Sequence, residues 1–229
     1  MAKKRVTRKQ LLKEPDEFIT LTGRLIQWAR ENSRSLIYGA CALVAVLVFI
    51  AALGYYRERR EQTAAELLSQ AMEVYQQERN RETNPELLLS AARPDMERLV
   101  NQYRRYPAGR LAKLLYGHLH LNAGDPDGAI TLYKKALSDF GKDPSLRPVI
   151  LNGLAEAYMQ KGDTAASITH YEQIVAGKDR ILVDMALFQL GRLYRQTGET
   201  EKSRQALLRL GSDFPNSIYA DMAREQAAG

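Results

Sequence analysis

The most regular hydrophobic pattern in this chain is a run of 22 consecutive uncharged residues between Arg34 and Arg57, of which ten are Leu, Ile, Val or Phe. A helix rises about 1.5 Å per residue, so this run would span roughly 33 Å, compared with about 30 Å for the hydrocarbon core of a bilayer. Ten such side chains contribute about −3 to −6 kcal/mol to insertion. The pattern therefore predicts a transmembrane helix over 35–56.

Two other interpretations of this run fit less well. A cleavable signal peptide has a short basic start and an apolar stretch of about 7–15 residues, whereas here 34 residues precede a longer run. Gly39-Ala40-Cys41 is similar to the end of a lipidation box, but Cys41 opens the apolar run instead of following it. As the only cysteine, Cys41 has no partner for an intramolecular disulfide. We interpret it as a lipid-facing or helix-packing residue.

Residues suited to the membrane interface flank the run. Aromatic and basic side chains favour the headgroup region. The pattern therefore predicts interfacial positions for Trp28, Arg34, Tyr55, Tyr56 and Arg57.

Apolar residues also recur at helical spacing before the span, over 16–30. One apolar stripe with basic neighbours is typical of an amphipathic helix in the headgroup region, and Asp16 can cap its start. For the basic residues 1–14 two interpretations stay open: attraction to anionic lipid, or a disordered segment that only directs topology. The apolar stripe consists of Phe18, Leu21, Leu25 and Trp28.

Beyond the span the hydrophobic pattern repeats three times, at about 109–140, 148–178 and 184–215. Each repeat has an apolar helix, a glycine followed by an acid, and a second apolar helix. The glycines are 38 and then 36 residues apart, a spacing typical of stacked helix–turn–helix repeats. We expect each glycine to adopt the left-handed conformation that ends a helix, and each acid to meet the positive end of the next helix dipole. The pairs are Gly124-Asp125, Gly162-Asp163 and Gly198-Glu199.

These residues resemble the tetratricopeptide repeat. The family's small position in the first helix is matched at Gly117, Ala155 and Gly191, and its aromatic position at Tyr158 and Tyr194. Generic helical hairpins of similar period are the alternative. Further matches are Ala129, Tyr133 and Ala136 in the returning helix and Pro215 at the end, and the departures are His120, Ser167 and Ser203.

Apolar spacing predicts helices on both sides of the three clear repeats. An amphipathic helix over 62–79, which an arginine-rich segment could join to the membrane helix, precedes a polar loop over 80–84. A short helical piece over 86–92 and a second helix that ends at Tyr106-Pro107 complete a degenerate first repeat, and 218–227 forms a final capping helix. The second helix is marked by Met96, Leu99, Val100 and Tyr103. No segment alternates with a two-residue period. The predicted fold is therefore all-α, one transmembrane helix followed by a tetratricopeptide-like helical-hairpin solenoid.

Charge predicts the orientation of the span. The whole chain carries +6, but residues 1–34 hold nine Lys/Arg and four acids, whereas 57–229 hold 24 Lys/Arg and 23 acids. Lys and Arg near a span favour the cytoplasmic side. We predict a basic cytoplasmic head over 1–34, a span over 35–56, and a repeat domain over 57–229 that is periplasmic in a bacterial inner membrane. Arg57, Arg59 and Arg60 oppose this bias.

The distribution of reactive residues argues against an enzyme. His118 and His120 are two apart on a helix, so they point in different directions and cannot share a metal. The sequence has no cysteine cluster, phosphate-binding glycine loop or nucleophile with a base pattern. Asp125 and Asp127 flank Pro126 in a turn, where helix capping explains them better than catalysis. We therefore expect no catalytic residue, no metal and no cofactor.

The densest basic stretch of the repeat region runs from residue 98 to residue 113. A solvated helix face is one interpretation, because acids nearby balance the charge, and an anion-binding site is the alternative. Because residues 57–229 are nearly neutral, we expect no nucleic-acid partner. The basic residues are Arg98, Arg104, Arg105, Arg110 and Lys113.

In tetratricopeptide repeats the first helices of successive pairs form a concave groove. The resemblance implies a mostly apolar groove that would suit an extended or helical peptide, without the cationic clamp by which some members hold a terminal carboxylate. The alternative is that some of these apolar residues pack in the solenoid core. The implied groove residues are Leu111, Leu114, His118 and Leu121, then Val149, Asn152, Glu156 and Met159, then Met185, Phe188, Arg192 and Arg195.

The order of segments resembles a bacterial family of single-span proteins that are described as ancillary subunits of the Sec translocon. The stretches Trp28–Asn32 and Gly54–Arg57 carry this likeness. It implies a membrane-anchored protein-interaction adaptor that brings secreted proteins or periplasmic chaperones to the translocon. The alternative is a scaffold or regulator for assembly of another envelope complex. The expected partners are proteins or peptides and the lipid bilayer.

Overall fold

The computed structural model describes residues 17–80 and 84–228, which form ten α-helices and no strand. This result confirms the all-α prediction. Contacts divide the chain into two compact units, 1–58 and 59–229. The helices are α1 (Glu17–Glu31), α2 (Ser33–Asn80), α3 (Pro85–Gln102), α4 (Pro107–Asn122), α5 (Pro126–Phe140), α6 (Leu146–Gln160), α7 (Thr164–Val175), α8 (Val183–Gln196), α9 (Thr200–Asp213) and α10 (Ala220–Ala228).

The amphipathic helix that the sequence predicts before the apolar run is present as α1. Leu25 and Trp28 of its apolar stripe are exposed. The backbone N–H of Asn32 donates to the carbonyl of Trp28 at 2.9 Å where α1 meets α2. Residues 1–16, with the predicted cap Asp16, and the side chains of Phe18 and Leu21 lie outside the described part of the chain. The placement of α1 in the headgroup region stays a prediction.

The apolar run lies in the first half of α2. The segment Ser33–Gln76 is long and apolar enough to cross a membrane, and none of its most apolar stretch is buried within the protein. Contiguous exposed apolar surface of this kind is rare in contact with water. The exposed side chains include Ile37, Leu43, Val44, Leu47, Val48, Phe49 and Ile50.

The second half of α2 contributes to the first hydrophobic core of the repeat region. Its apolar face at Ala64, Leu67 and Ala71 is buried, as the predicted amphipathic spacing requires. Partner side chains come from α3 and α4, and they include Leu89, Ala92, Met96, Leu99, Ala112 and Tyr116.

One boundary prediction is wrong, because the piece over 86–92 and the helix predicted to end at Tyr106-Pro107 are one helix, α3, which ends at Gln102. Pro94 lies inside α3 and removes one backbone hydrogen bond. The continuous buried face from Leu88 to Leu99 outweighs that loss. At the start of α3, the Asn84 side chain accepts the Glu86 backbone N–H at 2.9 Å.

Three hairpins follow, α4–α5, α6–α7 and α8–α9, and each helix packs against the next one along the chain. The turn glycines Gly124, Gly162 and Gly198 have φ of +74°, +84° and +82°, which confirms their predicted left-handed conformation. Asp125 and Asp163 each cap the following helix by accepting a backbone N–H at 3.0 Å. Glu199 makes no such cap bond and pairs instead with Lys202.

Glycines allow side chains of the returning helices to enter between the first helices. The ring of Tyr133, 1% exposed, lies so close to α4 and α6 that a Cβ at Gly117 would be 3.0 Å from it and one at Gly153 would be 2.5 Å from it. A Cβ at Gly191 would come within 2.6 Å of Leu207. The returning helices therefore approach closely at Gly117 and Gly191, two of the residues that match the family's small position, and Gly153 adds a close contact outside that position.

The final capping helix is α10. Its Ala220 and Ala223 are buried in the third hydrophobic core, together with residues of α8 and α9. The helix begins two residues later than predicted, and Ile218 before it is 82% exposed. Ser217 in this connection donates its hydroxyl to Asp184 at 2.6 Å.

Candidate protein-interaction surface

Several of the residues predicted for the groove lie instead in the hydrophobic cores. Leu114, Leu121 and Phe188 are 9%, 3% and 7% exposed, and Phe188 stacks on Tyr219 with ring centroids 5.0 Å apart. Leu111 and Met185 are half-buried against these cores. A ligand cannot reach Leu114, Leu121 and Phe188 without repacking, and Leu111 and Met185 are only partly accessible.

The remaining predicted residues form what we call the first-helix surface. His118 on α4, Met159 on α6 and Arg192 on α8 are exposed. Asn152 and Glu156 on α6 are half-buried. The complete surface consists of His118, Val149, Asn152, Glu156, Met159 and Arg192.

The polar centre of this surface is built from two consecutive repeats. The Asn152 side-chain amide donates to Glu156 at 3.0 Å, one helical turn away on α6. Burial raises the pKa of the Tyr171 hydroxyl, Glu156 raises this pKa further, and Arg192 lowers it. A carboxylate from one repeat and a guanidinium from the next therefore lie within electrostatic range of one hydroxyl.

Two buried oxygen atoms at this centre have no hydrogen-bond partner among the described residues. They are the Asn152 Oδ1 and the Tyr171 hydroxyl oxygen. A buried polar atom without a partner costs about 1–3 kcal/mol, and such atoms are usually paired with protein or water. Both oxygens are buried, so a ligand would reach them only if the surrounding side chains moved.

Arg195 has a different role from the one predicted. Its guanidinium donates to the backbone carbonyl of Gln226 in α10. Together with the stacking of Phe188 on Tyr219, this bond fixes the C-terminal helix against α8. The third repeat thus uses two of its predicted groove residues for internal packing.

The residues predicted for the membrane interface are all exposed. Trp28 lies on α1, and Arg34, Tyr55, Tyr56 and Arg57 lie on α2. The two tyrosines are separated from Arg34 by about 30 Å of helix at about 1.5 Å per residue. This separation matches the thickness of a hydrocarbon core.

A second concave feature, which the repeat pattern does not indicate, lies between α7, α8 and α9. This cleft has a volume of about 460 Å³ and an apolar lining that includes Leu187, Leu190 and Ala206. At its edge Tyr194 donates its hydroxyl to Glu172 at 2.5 Å. Because that bond pairs two side chains of the protein with each other, the cleft offers fewer unpaired polar groups than the first-helix surface does.

His170 makes the stability of this region sensitive to pH. Burial lowers the pKa of His170 below its ordinary value of 6.5, and the ammonium of Lys134 lowers it further, whereas a hydrogen bond with the Gln173 side chain opposes this shift by favouring the protonated ring. As pH falls below about 6.5, His170 binds a proton more readily in the unfolded chain than in the folded chain. We expect the free energy of unfolding to decrease from pH 7.5 to pH 5.5 and this decrease to be smaller in His170→Phe, which keeps a ring stacked on Tyr158. Denaturant titrations of both proteins at the two pH values measure the difference, and parallel curves would contradict the assignment.

Within the described residues, no group of three or more His, Cys, Asp and Glu side chains is arranged to hold a metal ion. His118 is exposed, whereas His120 is buried with its Nδ1 2.7 Å from Asp125. Asp125 also caps α5, as predicted for this turn, and Asp127 pairs with Lys161 at 2.6 Å.

A sequence model of the tetratricopeptide repeat-like domain matches residues 27–206. The chain belongs to the tetratricopeptide repeat-like domain family. The match starts before the apolar run and ends in α9, so it includes the first part of α2 as well as the hairpins. Tetratricopeptide repeat-like domains generally mediate protein–protein interactions.

Solved structures support the same fold. One similar structure is a putative kinesin light chain from Podosopora anserina with nearly identical repeats, at 15% identity and a TM-score of 0.56, covering 72% of this chain and 85% of that one. Another is the MamA protein, at 20% identity and a TM-score of 0.52, covering 72% and 84%. No curated protein matches the chain. At these identities the likeness establishes the tetratricopeptide repeat-like fold alone.

Proposed function

We propose that this protein is a non-catalytic, membrane-anchored adaptor whose first-helix surface binds segments of other polypeptides. The observation that carries the proposal is the polar centre between α6 and α8. There Glu156 and Arg192 carry opposite charges on consecutive first helices, and both lie within electrostatic range of the Tyr171 hydroxyl.

The chemistry of this centre suits a peptide backbone. The exposed Arg192 guanidinium can donate to a peptide carbonyl, and the half-buried Glu156 carboxylate can accept a peptide N–H. The exposed side chains of Val149 and Met159 supply apolar contact on the same helix. Methionine adapts its shape readily, which favours a surface that accepts different sequences.

We further propose that residues 35–56 span a bacterial inner membrane, with the basic head 1–34 in the cytoplasm and the domain 57–229 in the periplasm. The exposed apolar face of α2 and the excess of Lys and Arg in the head support this arrangement. A reporter that is active only in the cytoplasm, fused after Gly229, should be inactive.

The resemblance to ancillary Sec translocon subunits favours one location for the adaptor. We propose that it holds secreted proteins or periplasmic chaperones beside the translocon. Purification in mild detergent at native expression should then recover channel subunits. Recovery of a different envelope complex would instead support the scaffold alternative.

Site-specific photocrosslinking tests the binding surface. A photoreactive residue in place of Met159 should capture polypeptide in intact membranes, because this position is exposed beside the polar centre. The same residue in place of Thr131, exposed on the returning helix α5, is the matched control and should capture much less.

A charge reversal makes the test specific. Arg192→Glu should lower capture from position 159 several-fold, because it places two carboxylates at the centre. Arg192 is exposed and bonds only to Gln189 among the described contacts, so the variant should fold normally. Lys135→Glu makes the same charge change on α5 and should leave capture unchanged. Equal capture from positions 159 and 131, or equal effects of the two reversals, would contradict this surface.

A further inference from the structure

A tight turn between α3 and α4 presents two arginines to solvent. The backbone N–H of Tyr106 donates to the carbonyl of Tyr103 at 2.9 Å, which places Arg104 and Arg105 at the two central positions of the turn. Tyr103 is 3% exposed and its ring lies 6.0 Å from that of Tyr106. The tyrosines therefore hold the turn on the core, and both arginines are exposed.

The structure separates the arginines of this turn from Arg110 and Lys113 of the same basic stretch. Lys113 pairs with Asp139 at 2.5 Å. Arg110 donates to the Asp139 carbonyl at 2.8 Å and lies over the ring of Phe140. Arg110 and Lys113 therefore form contacts within the protein. By contrast, the described ion pairs and hydrogen bonds include none for Arg104 or Arg105.

The turn lies close to the point where the chain leaves the apolar run. The guanidinium carbon of Arg60 is 5.6 Å from the centroid of the Tyr103 ring. Arg60 is four residues beyond Tyr56, the last residue of the run. Four residues advance about 6 Å in a helix and at most about 14 Å in any conformation. The helix segment that contacts the turn therefore follows the apolar run directly along the chain.

We propose that the Arg104–Arg105 turn is a lipid-docking surface that binds the anionic phosphate headgroups of the membrane in which the chain is anchored. Guanidinium groups bind phosphate oxygens through paired hydrogen bonds. The adjoining helix segment 57–61 holds three arginines and two glutamates, a net charge of +1, so the two arginines of the turn supply the larger part of the local positive charge. The inference rests on the proposed membrane anchor, which brings the turn to this surface.

A fluorescent probe next to the turn can test this docking in the full-length chain. Cys41→Ala removes the only native thiol, and Gln102→Cys then places a probe at an exposed position at the end of α3. The protein is reconstituted into vesicles of phosphatidylcholine alone or of phosphatidylcholine with phosphatidylglycerol, each with a lipid that carries a quencher on its headgroup. Quenching should be stronger in the anionic vesicles and should weaken at high salt.

Neutralising the turn should remove this difference. In Arg104→Gln/Arg105→Gln the ratio of docked to undocked protein should fall roughly 30-fold, the equivalent of about 1 kcal/mol for each arginine. Lys142→Gln/Lys178→Gln removes the same charge from loops between repeats and should quench like the parent.

The outcomes separate the docking surface from the anchor. If the protein floats with vesicles after alkaline washing but quenching is equal in both lipid mixtures, or is unchanged in Arg104→Gln/Arg105→Gln, the docking proposal is overturned and the anchor stands. If the parent protein does not float, both proposals are overturned. Stronger quenching that requires anionic lipid and both arginines supports the docking surface.

Discussion

Gly153→Ala should lower the free energy of unfolding of the repeat domain by about 3 kcal/mol, the upper range for overpacking a protein core. A Cβ at this position would lie 2.5 Å from the Tyr133 ring carbon that carries the hydroxyl, and 2.8 Å from its two neighbours. The ring cannot move away, because Gly117 on α4 bounds its other side. Either α6 must shift away from α5 or the buried tyrosine must leave its place.

Gly211→Ala provides the matched control for this substitution. Gly211 lies in helix α9, and the nearest atom to a Cβ there would be Arg224 Cγ at the ordinary contact distance of 3.5 Å. The same change should therefore stabilise the protein by about 0.5–1 kcal/mol, because alanine is the better helix former. Denaturant unfolding followed by circular dichroism measures both variants. Equal stability of Gly153→Ala and the parent would show that the Tyr133 contact does not constrain the fold.

Leu47→Arg/Ile50→Arg should release the protein from the membrane. Each change replaces a side chain that favours insertion by about 0.5 kcal/mol with one that opposes it by about 3 kcal/mol. The total loss of about 7 kcal/mol exceeds the −3 to −6 kcal/mol that the ten strongly apolar residues of the run contribute. The parent should resist alkaline extraction of vesicles, whereas the double arginine variant should appear in the supernatant.

Leu47→Ala/Ile50→Ala is the control for the loss of large side chains. It introduces no charge and should remain in the membrane. The far-UV spectrum of the arginine variant should stay helical, because Leu47 and Ile50 are exposed and contribute to none of the hydrophobic cores. Alkaline extraction of the parent, or retention of the arginine variant, would contradict a spanning role for this run.

Local chemistry made the turns of the hairpins predictable. Glycine is strongly favoured where a residue between two helices adopts the left-handed conformation. The turns could therefore be located in the sequence at Gly124, Gly162 and Gly198. The acid after Gly124 and the acid after Gly162 likewise had one favourable role, to cap the next helix. The capping prediction fails at Glu199, because its longer side chain pairs with Lys202 instead of accepting a backbone N–H.

The groove was less predictable because the repeat position of a residue does not determine its burial. Phe188 and Leu114 occupy groove positions of the family, but large apolar side chains gain free energy by leaving water wherever a neighbouring helix permits it. Arg195 bonds to α10, a segment about 30 residues further along the chain, and no local pattern indicates that contact. Asn152 could be placed on the surface, but the unpaired oxygen beside Tyr171 becomes visible only after α6, α7 and α8 have packed.

The sequence by itself determined the helical class, the apolar run, the repeat spacing and the turn residues, because each depends on interactions within a few residues along the chain. Only the tertiary structure decided that α3 continues through Pro94, that Gly153 makes room for Tyr133, and that Glu156 and Arg192 both lie within electrostatic range of Tyr171. These features depend on contacts between helices, where burial and close packing outweigh local preference.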